Sequence, residues 1–90
     1  MLKLDMTHDC LKFLRTLNPK QFRQVVTTLL HLLHSPEPQD SSPLTGYSYR
    51  RVDIGEYRIV YRVEGDMLKV PLVGKRNDDE IYKDLRRLRG

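Results

Sequence analysis

The sequence predicts an α+β fold, a small, mostly antiparallel four-stranded sheet packed on a helical hairpin in the order β-α-α-β-β-β-α. Three observations carry this. Apolar residues recur at helical spacing between Cys10 and Leu33. From Tyr47 to Gly74 the pattern turns strand-like, with tight-turn signals at Ile54-Gly55 and Glu64-Gly65-Asp66. Ninety residues make one compact domain, taken as 1–90, because neither half is large enough to fold alone.

Leu2, Leu4 and Met6 alternate with Lys3 and Asp5, which reads as a short first strand. Thr7 can cap a helix whose apolar stripe is Cys10, Leu11, Leu14 and Leu17. Asn18-Pro19-Lys20-Gln21 starts a second helix: an N-cap, a proline at the first helical position and a glutamine at the third. That helix should run from about Pro19 to His34 and bury Phe22, Val25, Val26, Leu29, Leu30 and Leu33. So short a connection makes the two helices a hairpin. Ser35 to Pro43, with three prolines and several turn formers, is expected to be a loop.

Three strands follow, near Tyr47–Asp53, Glu56–Glu64 and Met67–Gly74. On the second of these, Tyr57, Ile59, Tyr61 and Val63 should face the helices, leaving Arg58, Val60 and Arg62 on an open face. Pro71 cannot donate to a sheet ladder, so it marks a bulge or an outward-facing position. A last helix should begin near Asn77, where Asn77, Asp78 and Asp79 suit a positive helix end, and carry Ile81, Leu85 and Leu88.

Composition excludes several classes. At 39% hydrophobic and 31% charged the chain has neither a disordered nor a membrane-embedded composition. The longest apolar run, Val25 to Leu33, is interrupted by Thr27, Thr28 and His31 and does not span a bilayer. Met1 to Asp5 lacks the apolar core of a signal peptide. One cysteine, Cys10, forms no internal disulfide and fits a reducing compartment. The expectation is a cytoplasmic protein without a membrane partner.

The net charge of +4 is unevenly placed. Arg50, Arg51, Arg58 and Arg62 face only Asp53 and Glu56 between Tyr47 and Arg62, and Lys83, Arg86, Arg87 and Arg89 crowd the C-terminal segment. Arg76 sits at the exit of the last strand and Tyr82 six residues beyond it. Guanidinium forks match phosphate oxygens and a tyrosine ring offers a flat face to a base, so this half reads as a surface for a nucleic-acid backbone.

The element order, the Leu44-Thr45-Gly46 turn, the run Arg51-Val52-Asp53-Ile54-Gly55-Glu56-Tyr57-Arg58-Ile59-Val60-Tyr61 and the run Val73-Gly74-Lys75-Arg76-Asn77-Asp78-Asp79-Glu80-Ile81-Tyr82 together resemble the RelE toxins of bacterial toxin–antitoxin modules. The resemblance covers nearly the whole chain and is dense from Pro43 to Arg87. It implies a RelE-like fold and a ribosome-dependent endoribonuclease that cuts mRNA in the A site. In that chemistry the 2′-hydroxyl attacks the adjacent phosphate, without metal or other cofactor, and leaves a cyclic phosphate. By the same resemblance Arg58 would hold the scissile phosphate, Arg76 would stabilise charge or protonate the leaving oxygen, and Tyr82 would orient the substrate. Arg50, Arg51 and Arg62 would extend the RNA-binding surface. The implied partners are a cognate RelB-like antitoxin, the ribosome with its mRNA, and operator DNA only through the antitoxin complex.

The chain departs from the pattern at the general base. The best-studied members carry two lysines on the strand before the tyrosine–arginine motif, whereas here that strand reads Tyr47-Ser48-Tyr49-Arg50-Arg51. Arginine, with a pKa above about 12, is a poor base. Two alternatives stand beside the RelE reading, and the missing lysines bear on the second. One is a ParE-type DNA gyrase poison, which shares the fold but generally lacks the Arg76 and Tyr82 equivalents together. The other is an RNA-binding, antitoxin-paired module with weakened catalysis.

Other residues read as structural. Lys69 and Lys75 are expected at the surface, Tyr57 and Tyr61 in the core. Cys10 has no base beside it and reads as packing. His31 and His34, three apart on a helix, have no cysteine or acidic partner nearby and read with His8 as ordinary helix histidines rather than metal ligands.

Overall fold

The structure is a computed structural model that describes residues 1–77 and 80–89, the latter without the side chains of Glu80, Ile81, Asp84, Leu88 and Arg89. Its elements are β1 (Lys3–Met6), α1 (His8–Arg15), α2 (Pro19–His34), β2 (Ser41–Pro43), β3 (Arg50–Ile54), β4 (Tyr57–Glu64), β5 (Met67–Lys75) and α3 (Glu80–Arg89). The expected α+β class holds, but the sheet has five strands rather than four, in the order β1-β5-β4-β3-β2. The added strand is β2, from the end of the proline-rich segment expected to be loop. It pairs antiparallel with β3 on one side only, Ser41 opposite Val52 and Pro43 opposite Arg50. An edge strand tolerates proline because no ladder bond is lost on its free side. Only β1, running parallel to β5, departs from the antiparallel arrangement.

The helix starts follow the sequence signals. Thr7 Oγ1 accepts from the Cys10 N–H at 3.2 Å, and Asn18 Oδ1 accepts from the Gln21 N–H at 2.9 Å, each satisfying a donor that the first helical turn leaves unpaired. Pro71 resolves as a bulge. Between the pairs Val60–Leu72 and Arg62–Lys69, Tyr61 alone faces both Val70 and Pro71. The bulge carbonyls seat the start of α1. Val70 O accepts from the Thr7 N–H at 3.3 Å, and Pro71 O accepts from the Thr7 hydroxyl at 3.1 Å.

Both helices of the expected hairpin cover one sheet face, where Cys10, Leu14, Val25, Leu29 and Leu32 meet Val52, Ile59, Tyr61, Leu68 and Val70. Three expectations about the two sheet faces need correction. Leu32 is buried, while Phe22 and Leu30 are exposed, because α2 turns its Val25–Leu29–Leu32 stripe to the sheet and those two lie on its flanks. Val63 is also exposed, near the end of β4. The third concerns the opposite face. Arg58, Val60 and Arg62 were expected on open sheet, yet Val60 is 1% exposed in a second cluster with Leu44 and Leu85, flanked by Tyr47, Tyr49, Leu72 and Tyr82. The last helix covers this face. The start expected near Asn77 for that helix falls partly on 78–79, outside the described residues, and Ile81 and Leu88 are likewise beyond description as side chains. No helix among the described residues is long and apolar enough to cross a membrane.

Candidate functional site

The β3–β4 hairpin builds the site. Its turn holds Gly55 at φ 57°, a left-handed conformation that glycine adopts without strain, and so fixes a register in which Ile54 faces Tyr57 and Asp53 faces Arg58. Cross-strand neighbours on one face are close enough to interact, and here they form a forked ion pair. Arg58 Nε donates to Asp53 Oδ1 at 2.7 Å and Arg58 Nη2 to Asp53 Oδ2 at 3.2 Å. Arg51, two residues before Asp53 and so on the same face, donates from Nη1 to Asp53 Oδ2 at 3.2 Å.

Tyr82 completes the cluster from α3. Its hydroxyl accepts from Arg58 Nη1, and the Arg58 guanidinium carbon lies 5.7 Å from the Tyr82 ring centroid. Leu85, one turn further along the helix, is buried in the second cluster and anchors this position. Arg76 follows β5, where its N–H donates to Glu56 O at 2.9 Å beside the same hairpin turn. Its side chain is exposed, within electrostatic reach of Asp53.

The electrostatics are those of a carboxylate among cations. The hydrogen bonds from Arg58 hold the Asp53 carboxyl below its ordinary range; partial burial opposes this, and the charges of Arg58, Arg51 and Arg76 reinforce it. The hydrogen bond to Asp53 raises the Arg58 pKa in turn, against the cost of burial. Arg58 is therefore a permanent cation, only 12% exposed, with its fork held in one orientation.

The structure thus brings together Arg58, Tyr82 and Arg51, with Arg76 at the rim, and separates Arg50 and Arg62 from them. Arg50 points to the other face of β3, donating from Nη2 to Ser41 Oγ at 2.9 Å and pairing with Glu37 at 3.8 Å. Arg62 lies about 13 Å along β4 from Arg58, at roughly 3.3 Å per residue. There it pairs with Glu64 at 2.9 Å and stacks over the Tyr49 ring at 5.1 Å. Asp53 is the residue that sequence reasoning misses, because a charge count over the segment treats it only as an offset to the arginines. The two-residue turn was the available signal, since it places Asp53 directly across from Arg58.

The remaining candidates fall where their chemistry is ordinary. Cys10 is buried, its Sγ donating to Val70 O at 3.4 Å, and burial pushes the thiol pKa up. His8, His31 and His34 are exposed on helices. Among the described residues no group of three or more His, Cys, Asp or Glu side chains is placed to hold a metal ion. Lys75 is exposed, and Lys69 pairs with Asp5 at 3.0 Å.

The arrangement is similar to known proteins. No curated protein matches the chain. Among solved structures, a free E. coli RelE toxin carrying two arginine-to-alanine substitutions is 25% identical, covering 97% of each chain with a TM-score of 0.80. RelE in the intact E. coli RelBE toxin–antitoxin complex is 26% identical, covering 87% of this chain and 100% of that one with a TM-score of 0.74. The archaeal RelE–RelB complex of Pyrococcus horikoshii, at 21% identity, covers 84% of this chain and 96% of that one with a TM-score of 0.75, and speaks for the fold alone. The family model described as the ParE toxin of the type II toxin–antitoxin system parDE matches residues 7–80. By that match across most of its length, the chain belongs to the ParE toxin family of type II toxin–antitoxin systems, within the wider RelE/ParE superfamily.

Proposed function

We propose that this toxin is a ribosome-dependent mRNA endonuclease of the RelE type, acting in the cytoplasm on the codon in the A site. The observation that carries the reading is the direct contact of Arg58 with Tyr82 beside Arg51 and Arg76. In the reaction the 2′-hydroxyl gives up its proton to water as its oxygen attacks the adjacent phosphorus, the bond to the 5′-oxygen breaks and that oxygen takes up a proton, and a 2′,3′-cyclic phosphate and a 5′-hydroxyl result. Negative charge grows on the phosphoryl oxygens as this happens. Preorganised guanidinium groups stabilise such charge most where water is excluded, which suits the mostly buried Arg58. Arg58 grips the scissile phosphate, Arg76 stabilises the leaving oxygen, and Tyr82 orients the nucleotide. Arg51 adds positive field to the same site, while Arg50 and Arg62 contact RNA further out. No metal or cofactor enters the scheme.

Control falls to a cognate RelB-like antitoxin, as in the RelE–RelB complexes to which the chain is similar, with operator DNA reached only through that complex. Growth arrest tests the site. Removing one preorganised donor costs about 2.7–4 kcal/mol of transition-state stabilisation, a factor of about 10²–10³ in rate. Arg58→Ala or Arg76→Ala should therefore abolish arrest in a folded protein, and undiminished arrest by a well-expressed Arg76→Ala protein contradicts the assignment.

A second reading is supported by the ParE description of the matching family model. A gyrase poison of that type would arrest DNA supercoiling in a purified gyrase reaction without cutting RNA, and its action would not depend on Tyr82.

A further inference from the structure

Asp53 has no part in the reaction just described, yet it binds two of the site's arginines directly. Its contacts are specific in a way that matters for phosphate. A guanidinium offers five N–H donors in one plane. Asp53 takes the edge formed by Nε and one Nη2 hydrogen, at 2.7 and 3.2 Å. At the edge formed by the other Nη2 hydrogen and Nη1, the contact among the described residues is the Tyr82 hydroxyl, which accepts from Nη1. A phosphate reaching that end edge would meet the Tyr82 hydroxyl alongside. A phosphate on the side edge would have to displace a carboxylate that the hairpin register holds opposite Arg58 and that Arg51 holds again from its own strand at 3.2 Å.

We propose that Asp53 is a positioning residue: by occupying the Nε–Nη2 edge of Arg58 it fixes the guanidinium so that the Nη1–Nη2 edge beside Tyr82 receives the scissile phosphate. The inference rests on the ribonuclease reading for the identity of that phosphate, but not for the geometry of the fork. Arg58 is 12% exposed and has little room to present a different edge. Asp53 also lowers the local positive charge, so it weakens the attraction for RNA while it orients the group that acts on it. These two effects have opposite signs and can be separated.

The test uses the full folded chain. In wild-type protein titrated with inorganic phosphate, the Arg58 Nε–H resonance should stay where Asp53 holds it, while the Tyr82 ring signals move. In Asp53→Asn protein, phosphate should shift the Nε–H resonance itself. In single-turnover cleavage of ribosome-bound mRNA, Asp53→Asn should lower the maximal rate constant about 10²-fold, the loss that follows when a reacting group is misplaced by about 1 Å. The half-saturating concentration should stay unchanged or fall, and Asp53→Glu should recover part of the rate. A wild-type Nε–H resonance displaced by phosphate overturns the proposal without need of any variant, and so does an Asp53→Asn enzyme as fast as wild type. A wild-type protein that cuts no RNA refutes the ribonuclease reading instead, and the phosphate titration still decides which edge of Arg58 is engaged.

Discussion

Leu85→Ala should release the last helix without unfolding the rest of the protein. Leu85 is 1% exposed and, among the described residues, shares its buried cluster only with Leu44 and Val60. Truncation removes three carbons, about 2.4 kcal/mol at roughly 0.8 kcal/mol per buried methylene, and the residual cavity brings the usual Leu→Ala range to about 2–5 kcal/mol. The α1–α2 face does not contain Leu85, and its cluster is far larger. The loss should therefore fall on α3 as a local opening rather than on the whole fold. At about 1.4 kcal/mol per factor of ten, amide exchange in α3 should accelerate about 30-fold or more, while α2 and the β4–β5 pair change much less. Because Tyr82 meets Arg58 from this helix, toxicity should fall in step. Exchange measured residue by residue decides the matter. Acceleration spread evenly over α2, β4 and α3 would show one cooperative unit and refute the idea of a separately anchored helix.

Two further outcomes follow. Asp53 has a depressed pKa in the fold, so its contribution to stability is fully present above the ordinary carboxylate range and is lost as pH falls through the lower, folded value. Asp53→Asn should cost about 1.5–3 kcal/mol in urea unfolding at neutral pH, the usual worth of a hydrogen bond to a charged group, and the gap to wild type should close on acidification; a gap that persists or widens contradicts the ion pair. An antitoxin that acts by displacing α3 should leave the amides of 82–87 less protected in the complex, whereas uniform extra protection there, with Tyr82 still on Arg58, leaves blockade of the arginine surface as the means of control.

Much of the fold was legible because its signals are local. Thr7 and Asn18 cap the helices they precede, α2 has the expected bounds Pro19–His34, and Pro71 marks a bulge. What was not legible depends on partners distant in sequence. Ser41 to Pro43 carry no strand pattern of their own and become β2 only because β3 offers a free edge. Val60 looked solvent-facing because strand periodicity tells which side a residue takes, not whether a helix covers that side. The site shows the same division. Motif spacing picked out Arg58 and Tyr82, which meet across 24 positions of chain. Arg62 joins them on charge and Arg50 on its place in the strand before the tyrosine–arginine motif, although strand alternation turns Arg50 to the other face and Glu64 pairs with Arg62. Asp53 was overlooked although the hairpin turn fixes it opposite Arg58, because counting charge over a segment hides which charges touch.

Whether the Arg58–Tyr82 cluster cuts mRNA in the ribosome is decided by mapping cleavage in a purified translation reaction with and without ribosomes and identifying the ends. A ribosome-dependent nuclease gives cuts within A-site codons, only when ribosomes are present, that leave 2′,3′-cyclic phosphates and 5′-hydroxyls and vanish in Arg58→Ala protein. Intact mRNA beside inhibited gyrase, or fragments with 3′-hydroxyl and 5′-phosphate ends, would contradict it.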